Sequence, residues 1–320
     1  PNYSSPHYNV TVKTTPDFSR TLLDPRTQID IFYWWNSENL PFHARCAIDS
    51  WKYHLQQKQT KYKYNIIFTN PSNIDQYIAP ELGTLDIFHN TNAEMKALQS
   101  DQVRYAILAH HGGFYMDAGI YLFGNLDDWG DRHFEGGYKF QGFWNPHNTA
   151  SALDSETFVP CIESSCIYCT PQYPMIVELC NELLKIQPST KASVNAYIDR
   201  KAAENDAVEQ SGANMFLDYH IAFHMLTKII RKNKGISKTN PWSNGIYLLN
   251  TYSSRFFVFR DHLVLSIFEY FKHNSVVGRV NSLDPKYKIR KIINRESKAI
   301  DEEAKNTTHR NLCHALTGTE

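Results

Sequence analysis

Short β-branched or aromatic runs alternate along the chain with longer stretches in which apolar residues recur every three or four positions. Gln28–Trp35, dense in Ile, Phe, Tyr and Trp, predicts a buried strand. Pro41 is suited to the first position of a helix, and Ala44, Ala47, Ile48, Trp51 and Leu55 carry a helical stripe beyond it. Tyr62–Thr69 predicts a second strand, closed by the turn signal Asn70-Pro71-Ser72-Asn73. Strand, helix, strand in that order points to a parallel α/β unit.

The next helix carries an apolar stripe of Met95, Leu98, Val103, Ile107 and Leu108. Thr91-x-x-Glu94 reads as a capping box at its start, and Gly112-Gly113 as its stop. Phe114-Tyr115-Met116 then predicts a short strand that runs into Asp117-Ala118-Gly119. Further strands are expected at 138–144 and 166–169, and helices at about 172–187, 190–203, 213–232 and 261–273. The expected organisation is a polar arm over 1–27, one domain over 28–299 and a polar tail over 300–320. Within the domain, about 28–150 and about 151–299 form two functional halves.

Composition narrows the classes. In 320 residues, 33 Lys and Arg balance 33 Asp and Glu, with 42% hydrophobic and 13% aromatic residues. A nucleic-acid binder normally shows a basic excess, so no nucleic-acid partner is expected. No apolar run approaches the ~18–20 residues that span a bilayer, so this chain holds no expected transmembrane segment. An anchor upstream of Pro1 would lie outside it. Six cysteines are too few for a disulfide scaffold. Cys161, Cys166, Cys169 and Cys180 cluster, leaving buried thiols, a disulfide and a zinc site all open. Sequons at Asn2, Asn9 and Asn306 leave a secretory lumen open. The expected location is cytoplasmic with membrane association, or the Golgi lumen or secretory pathway if an upstream anchor was removed.

Candidate chemistry concentrates between Ser100 and Gly119. Asp101 and Arg104, three apart on the helix, share a face and can pair. The glycines then reverse the chain into a strand that delivers Asp117 at its carboxyl end, where open α/β sheets bind ligands. An Arg held by one Asp beside another carboxylate suits a set of sugar hydroxyls. A strand-end carboxylate can also organise a divalent cation against a diphosphate. The same residues read equally well as a helix-surface ion pair and an Asp that opens a turn.

This segment, Ser-Asp-x-x-Arg-Tyr followed by a hydrophobic helix end, Gly-Gly, Phe-Tyr-Met and Asp-Ala-Gly, resembles the sugar-binding region of the family 32 glycosyltransferases. The capsular-polysaccharide-synthesis branch is the most similar, with the large clostridial glucosylating toxins as more distant relatives. Trp34-Trp35-Asn36-Ser37-Glu38-Asn39-Leu40-Pro41, followed by Ser50-Trp51, looks like the family's opening strand and helix, and Asp218-Tyr219-His220 is similar to a later segment. The resemblance implies a GT-A fold, an α/β nucleotide-sugar-binding sheet flanked by helices with a helical C-terminal acceptor side. It implies a retaining hexosyltransferase that moves sugar from a UDP- or GDP-sugar donor to a glycan, glycolipid or protein acceptor.

Carried over residue by residue, the resemblance makes Asp101, Arg104 and Asp117 the catalytic candidates. Trp34, Trp35, Asn36, Tyr115, Gly119 and Asp218 become the substrate-binding candidates, and Glu163, in Ile162-Glu163-Ser164-Ser165, joins them on its own context as a polar acceptor-side group. Asp117 would be the ligand of a Mn²⁺ or Mg²⁺ cofactor, with Asp127 or Asp128 in support. Gly119 stands where most relatives carry the second Asp of Asp-x-Asp. That departure motivates an alternative, a catalytically inactive relative that binds nucleotide sugar or glycan. A glycoside hydrolase would need a second strand-end carboxylate facing Asp117, and the sequence offers no convincing one. His110-His111, the His220/His224 pair, Trp144 and the loop 240–245 are weaker candidates, the histidine pair reading mainly as packed side chains.

Overall fold

The structure is a computed structural model that describes residues 28–122, 124–145, 159–210, 216–236, 245–250, 257–258 and 289–292. The expected arm, the tail, the helix at 261–273 and most of the 240–245 loop lie outside these residues.

The first strand, β1 (Gln28–Trp34), is apolar on both faces. Ile29, Ile31 and Tyr33 enter one core cluster, while Phe32 and Trp34 enter the other. A strand covered on both faces reads as such a continuous apolar run. The helix α1 (Phe42–Leu55) covers the first face with Ala44, Ile48, Trp51 and Leu55. It leads to β2 (Lys63–Thr69), which pairs parallel with β1 in register from Gln28–Lys63 to Trp34–Thr69.

Two 3₁₀ turns, Ile74–Gln76 and Pro80–Leu82, and the single-turn α2 (Asp86–His89) carry the chain over the sheet to α3 (Lys96–His110). From Val103 to Ala109 every residue of α3 is buried, because the sheet lies on one side and α5 (Pro174–Leu183) on the other. Two buried glutamines donate to backbone carbonyls. Gln99 Nε2 donates to the Ile87 and Asn90 carbonyls at 2.8 and 2.6 Å. Gln102 Nε2 donates to Leu183 and Ile186 at 3.1 and 2.7 Å, tying α3 to the end of α5.

The start of α3 corrects the expected capping box. The N-cap is Met95, without a side-chain cap bond. Glu94 Oε1 instead accepts the Lys191 backbone N–H at 3.3 Å, at the first turn of α6 (Lys191–Ala203), whose N-cap is Thr190. The expected glycine stop holds: Gly112 and Gly113 sit at φ +68° and +87°. A Cβ on Gly113 would lie 2.7 Å from the Asp30 carbonyl oxygen.

From there β3 (Gly113–Met116) pairs parallel with β1 on the side away from β2, with Phe32 opposite Tyr115. The remaining strands are β4 (Ile120–Leu122), β5 (Phe140–Trp144), β6 (Ile162–Cys169), β7 (Ile246–Asn250), β8 (Phe257–Val258) and β9 (Ile289–Ile292). The main sheet has six strands in the order β2-β1-β3-β6-β5-β7. All run one way except β6, which is antiparallel to both β3 and β5. The second sheet, β4-β9-β8, has three strands. Since β6, from the later half of the sequence, lies between β3 and β5, the two expected halves share one sheet.

Several elements had not been expected: the short α2, the strands β4, β7, β8 and β9, and α4 (Asp127–Phe134). The last described helix, α7 (Ile221–Lys232), packs on α5 and β6. Together α5, α6 and α7 provide the expected helical C-terminal side. Among the described residues no helix is long and apolar enough to cross a membrane. Cys46, Cys161, Cys166, Cys169 and Cys180 are buried thiols, so the described members of the cysteine cluster belong to the core.

Candidate active site

The chain moves from β1 to β2 on one side, then crosses back through α3 to β3 on the other. Such a reversal opens a crevice at the carboxyl ends of the two central strands. Trp34–Asn36 leaves β1 at that point, and Asp117 leaves β3.

Strand alternation decides which way Asp117 faces. Tyr115 belongs to the cluster on the α3 side, while Phe114 and Met116 belong to the other. Two residues beyond Tyr115, Asp117 shares its face and meets α3. There Arg104 Nη2 donates to Asp117 Oδ1 at 2.5 Å, and Nη1 donates to Asp101 Oδ1. The structure thus brings together the three residues expected to carry the chemistry.

The division of labour within the group differs from expectation. The Arg104 side chain is only 4% exposed, against 14% for Asp101 and 26% for Asp117. Burial opposes its charge, but Asp117 and Asp101 overcome that and hold its pKa well above the ordinary arginine value. Both terminal nitrogens are engaged by carboxylates, so Arg104 positions the acids, and Asp117 is the member most open to a ligand.

The expected role of Tyr115 as a lining residue is also corrected. It is fully buried, with the Arg104 guanidinium 4.7 Å from its ring centroid, so it supports the cluster from beneath. Its hydroxyl lies 3.5 Å from Ser100 Oγ, and burial pushes its pKa up despite the neighbouring arginine.

The other expected residues divide by position. Trp34 is 6% exposed within the core. Trp35 is half-buried, with its ring centroid 6.1 Å from that of His43, and Asn36 Nδ2 donates to the Thr91 carbonyl at 3.3 Å across the crevice mouth. Gly119 is half-buried in the turn after Asp117, closed by Ile120 N–H to the Asp117 carbonyl at 2.9 Å. Because β6 runs in reverse, Glu163 near its start lies at the same sheet edge as Asp117. Asp218 stands apart on the helical side, where Lys191 at 2.9 Å holds its carboxyl below the usual aspartate value.

Of the weaker candidates, Trp144 and Asn145 end β5 at the active edge, and Asn145 N–H donates to the Cys161 carbonyl at 2.9 Å. His111 Nε2 lies 3.7 Å from Asp30 Oδ2 and its ring packs edge-on to Phe32. His224 is buried within α7, as a packed side chain would be.

The expected support from Asp127 and Asp128 is not formed. Asp127 accepts the Tyr64 hydroxyl at 2.9 Å, and Asp128 accepts Arg132 at 2.9 Å. Tyr64 pairs with Ile29, five residues back from Trp34 on β1. At ~3.3 Å per residue, that is about 16 Å from the edge that carries Asp117. Among the described residues no group of three His, Cys, Asp or Glu could hold a metal ion. Arg104 also claims Asp117 Oδ1. These residues do not fit a protein-held Mn²⁺ or Mg²⁺.

Residues 41–135 match the family model described as a glycosyltransferase sugar-binding region containing a DXD motif. That segment holds α1, α3, β3 and the whole Asp101–Arg104–Asp117 group. The chain is accordingly a transferase-class enzyme, and sugar transfer in general is its activity. No curated protein matches the chain.

Solved structures that match the chain include one described as the PaToxG glycosyltransferase, with 12% identity, coverage of 68% of this chain and 84% of that one, and a TM-score of 0.30. Mouse xyloside xylosyltransferase 1 in its apo form is 9% identical, with 83% and 97% covered and a TM-score of 0.39. The galactosyltransferase LgtC, in complex with donor and acceptor sugar analogues, is 11% identical, with 90% and 96% covered and a TM-score of 0.38.

Proposed function

We propose that the protein is a nucleotide-sugar-dependent glycosyltransferase of the family 32, capsular-polysaccharide-synthesis type, with a GT-A-like donor-binding sheet. It would move sugar from a UDP- or GDP-sugar to a hydroxyl of a glycan, lipid-linked glycan or protein. The observation that carries this reading is the Asp101–Arg104–Asp117 group at the switch point of the sheet, inside the matched sugar-binding region. Asp117 receives donor hydroxyls, while Arg104 fixes its carboxylate and that of Asp101 before the donor arrives. Such fixed geometry lowers the cost of reaching the transition state.

Retention follows from the family resemblance. In the front-face course, the acceptor oxygen bonds to the anomeric carbon as the bond to the diphosphate breaks. The acceptor proton passes to the leaving phosphate. The implied Mn²⁺ or Mg²⁺ has Asp117 as its candidate ligand but finds no protein cage among the described residues, and no step here depends on it.

Calorimetric titration of UDP, GDP and their sugars, with and without Mn²⁺, tests the reading in wild type and Asp117→Asn. One donor should bind and be turned over, with binding at least tenfold weaker in the variant at unchanged secondary structure. Binding without transfer or donor hydrolysis would favour the inactive-relative reading, which Gly119 motivates. Equal binding by wild type and Asp117→Asn would remove Asp117 from the site.

A further inference from the structure

Antiparallel pairing of β3 with β6 places Met116 opposite Cys166 and continues one step further, where the Asp117 N–H donates to the Ser165 carbonyl at 2.8 Å. Side chains directly opposite on paired strands share a face, with Cβ atoms about 4.5–5.5 Å apart. Tyr115 and Ile167, the pair before, both enter the cluster on the α3 side. Ser165 and Asp117 therefore stand side by side on the face that meets Arg104.

Ser165 is fully buried, and its hydroxyl has no hydrogen-bond partner among the described residues. A buried hydroxyl without a partner is costly and uncommon in a folded protein. Core packing does not account for it, because alanine would fill the same position without the orphaned group. Rotation about one side-chain bond carries a serine hydroxyl between staggered positions, and the Asp117 carboxylate is the ionised acceptor on the adjoining position.

Resting on the donor-binding reading above, we infer that Ser165 is a positioning residue whose hydroxyl donates to Asp117 when the donor is bound. Asp117 then has two holders, Arg104 from the helix and Ser165 from the neighbouring strand. A donor drawing on the carboxylate would meet it in one orientation. A charge-assisted hydrogen bond of this kind is stronger than a neutral one, and it favours the ionised acid.

Ser165→Ala separates this role from a structural one. The unliganded variant should unfold at the same temperature as wild type or higher, since it loses an unpartnered group. Its affinity for UDP or GDP with Mn²⁺, whichever wild type binds, should fall about tenfold. In an Asp117→Asn background the same substitution should change affinity by less than twofold, since coupled residues are non-additive. Unchanged affinity in Ser165→Ala, or an equal loss in both backgrounds, overturns the inference and leaves the donor reading standing. A wild-type protein that binds neither nucleotide overturns both.

Discussion

Replacing Arg104 by Met keeps most of the side-chain volume and removes the charge between Asp101 and Asp117. Wild type joins a guanidinium that is 4% exposed to carboxylates that are 14% and 26% exposed. Removing one partner of a fully buried ion pair costs about 3–5 kcal/mol. Partial solvent access to the two acids screens their repulsion, so about 3 kcal/mol is expected at pH 7. For a domain of this size that is a fall of about 6 °C or slightly more in the midpoint.

The acid side of the pH profile carries the sharper test. Without the arginine, two carboxylates face one another, and at least one has its folded pKa raised. A raised acid gains a proton on folding, so the variant recovers stability relative to wild type as pH falls from 7 to about 5. Urea unfolding at several pH values measures this directly. Arg104→Lys should recover part of the loss, because an ammonium restores the charge but not the planar fork. A deficit independent of pH would mean that the cost comes from packing over Tyr115 rather than from charge. That result would refute the electrostatic account.

Other outcomes follow from particular contacts. Gly113→Ala should cost at least ~2 kcal/mol in chemical unfolding, since φ is +87° and the new Cβ would meet the Asp30 carbonyl at 2.7 Å. A cost below half of that would show that the turn can relax. Glu182 accepts the Tyr197 hydroxyl at 2.7 Å and a hydrogen bond from Lys185. Burial pushes its pKa up, but these bonds outweigh it and hold the pKa below the ordinary 4.5. A depressed carboxylate contributes stability above its unfolded pKa and loses it as pH falls through the folded one. Glu182→Gln should therefore cost ~1–2 kcal/mol at pH 7 and progressively less as pH falls below the ordinary 4.5 and through the lowered folded pKa. Parallel acid limbs for wild type and variant in urea unfolding would remove Glu182 from that role.

Local pattern made the central strands and the first parallel unit legible, because β1 must be apolar on both faces and the stripe of α1 must cover one of them. The failures fall where distant residues decide. Thr91 and Glu94 have the spacing of a cap, yet the Glu94 carboxylate goes to the start of α6, nearly a hundred residues on. The strand β4 has only three residues and completes its ladder with β9 near residue 290, so no local signal marks it.

The site shows the same division. Helical spacing joined Asp101 to Arg104, and the end of an apolar strand pointed to Asp117. What the spacing did not carry is which member faces the ligand. The family resemblance favoured Arg104 and Tyr115 as contacts. The burial of α3 between the sheet and α5 turns both into support. The same layering brings Ser165, an ordinary serine in a strand, beside the most exposed acid of the group. If Asp117 receives the donor as proposed, its orientation is set from behind, by groups that meet the acids rather than the sugar. Substitutions in this second rank should change how donors bind before they change whether the protein folds.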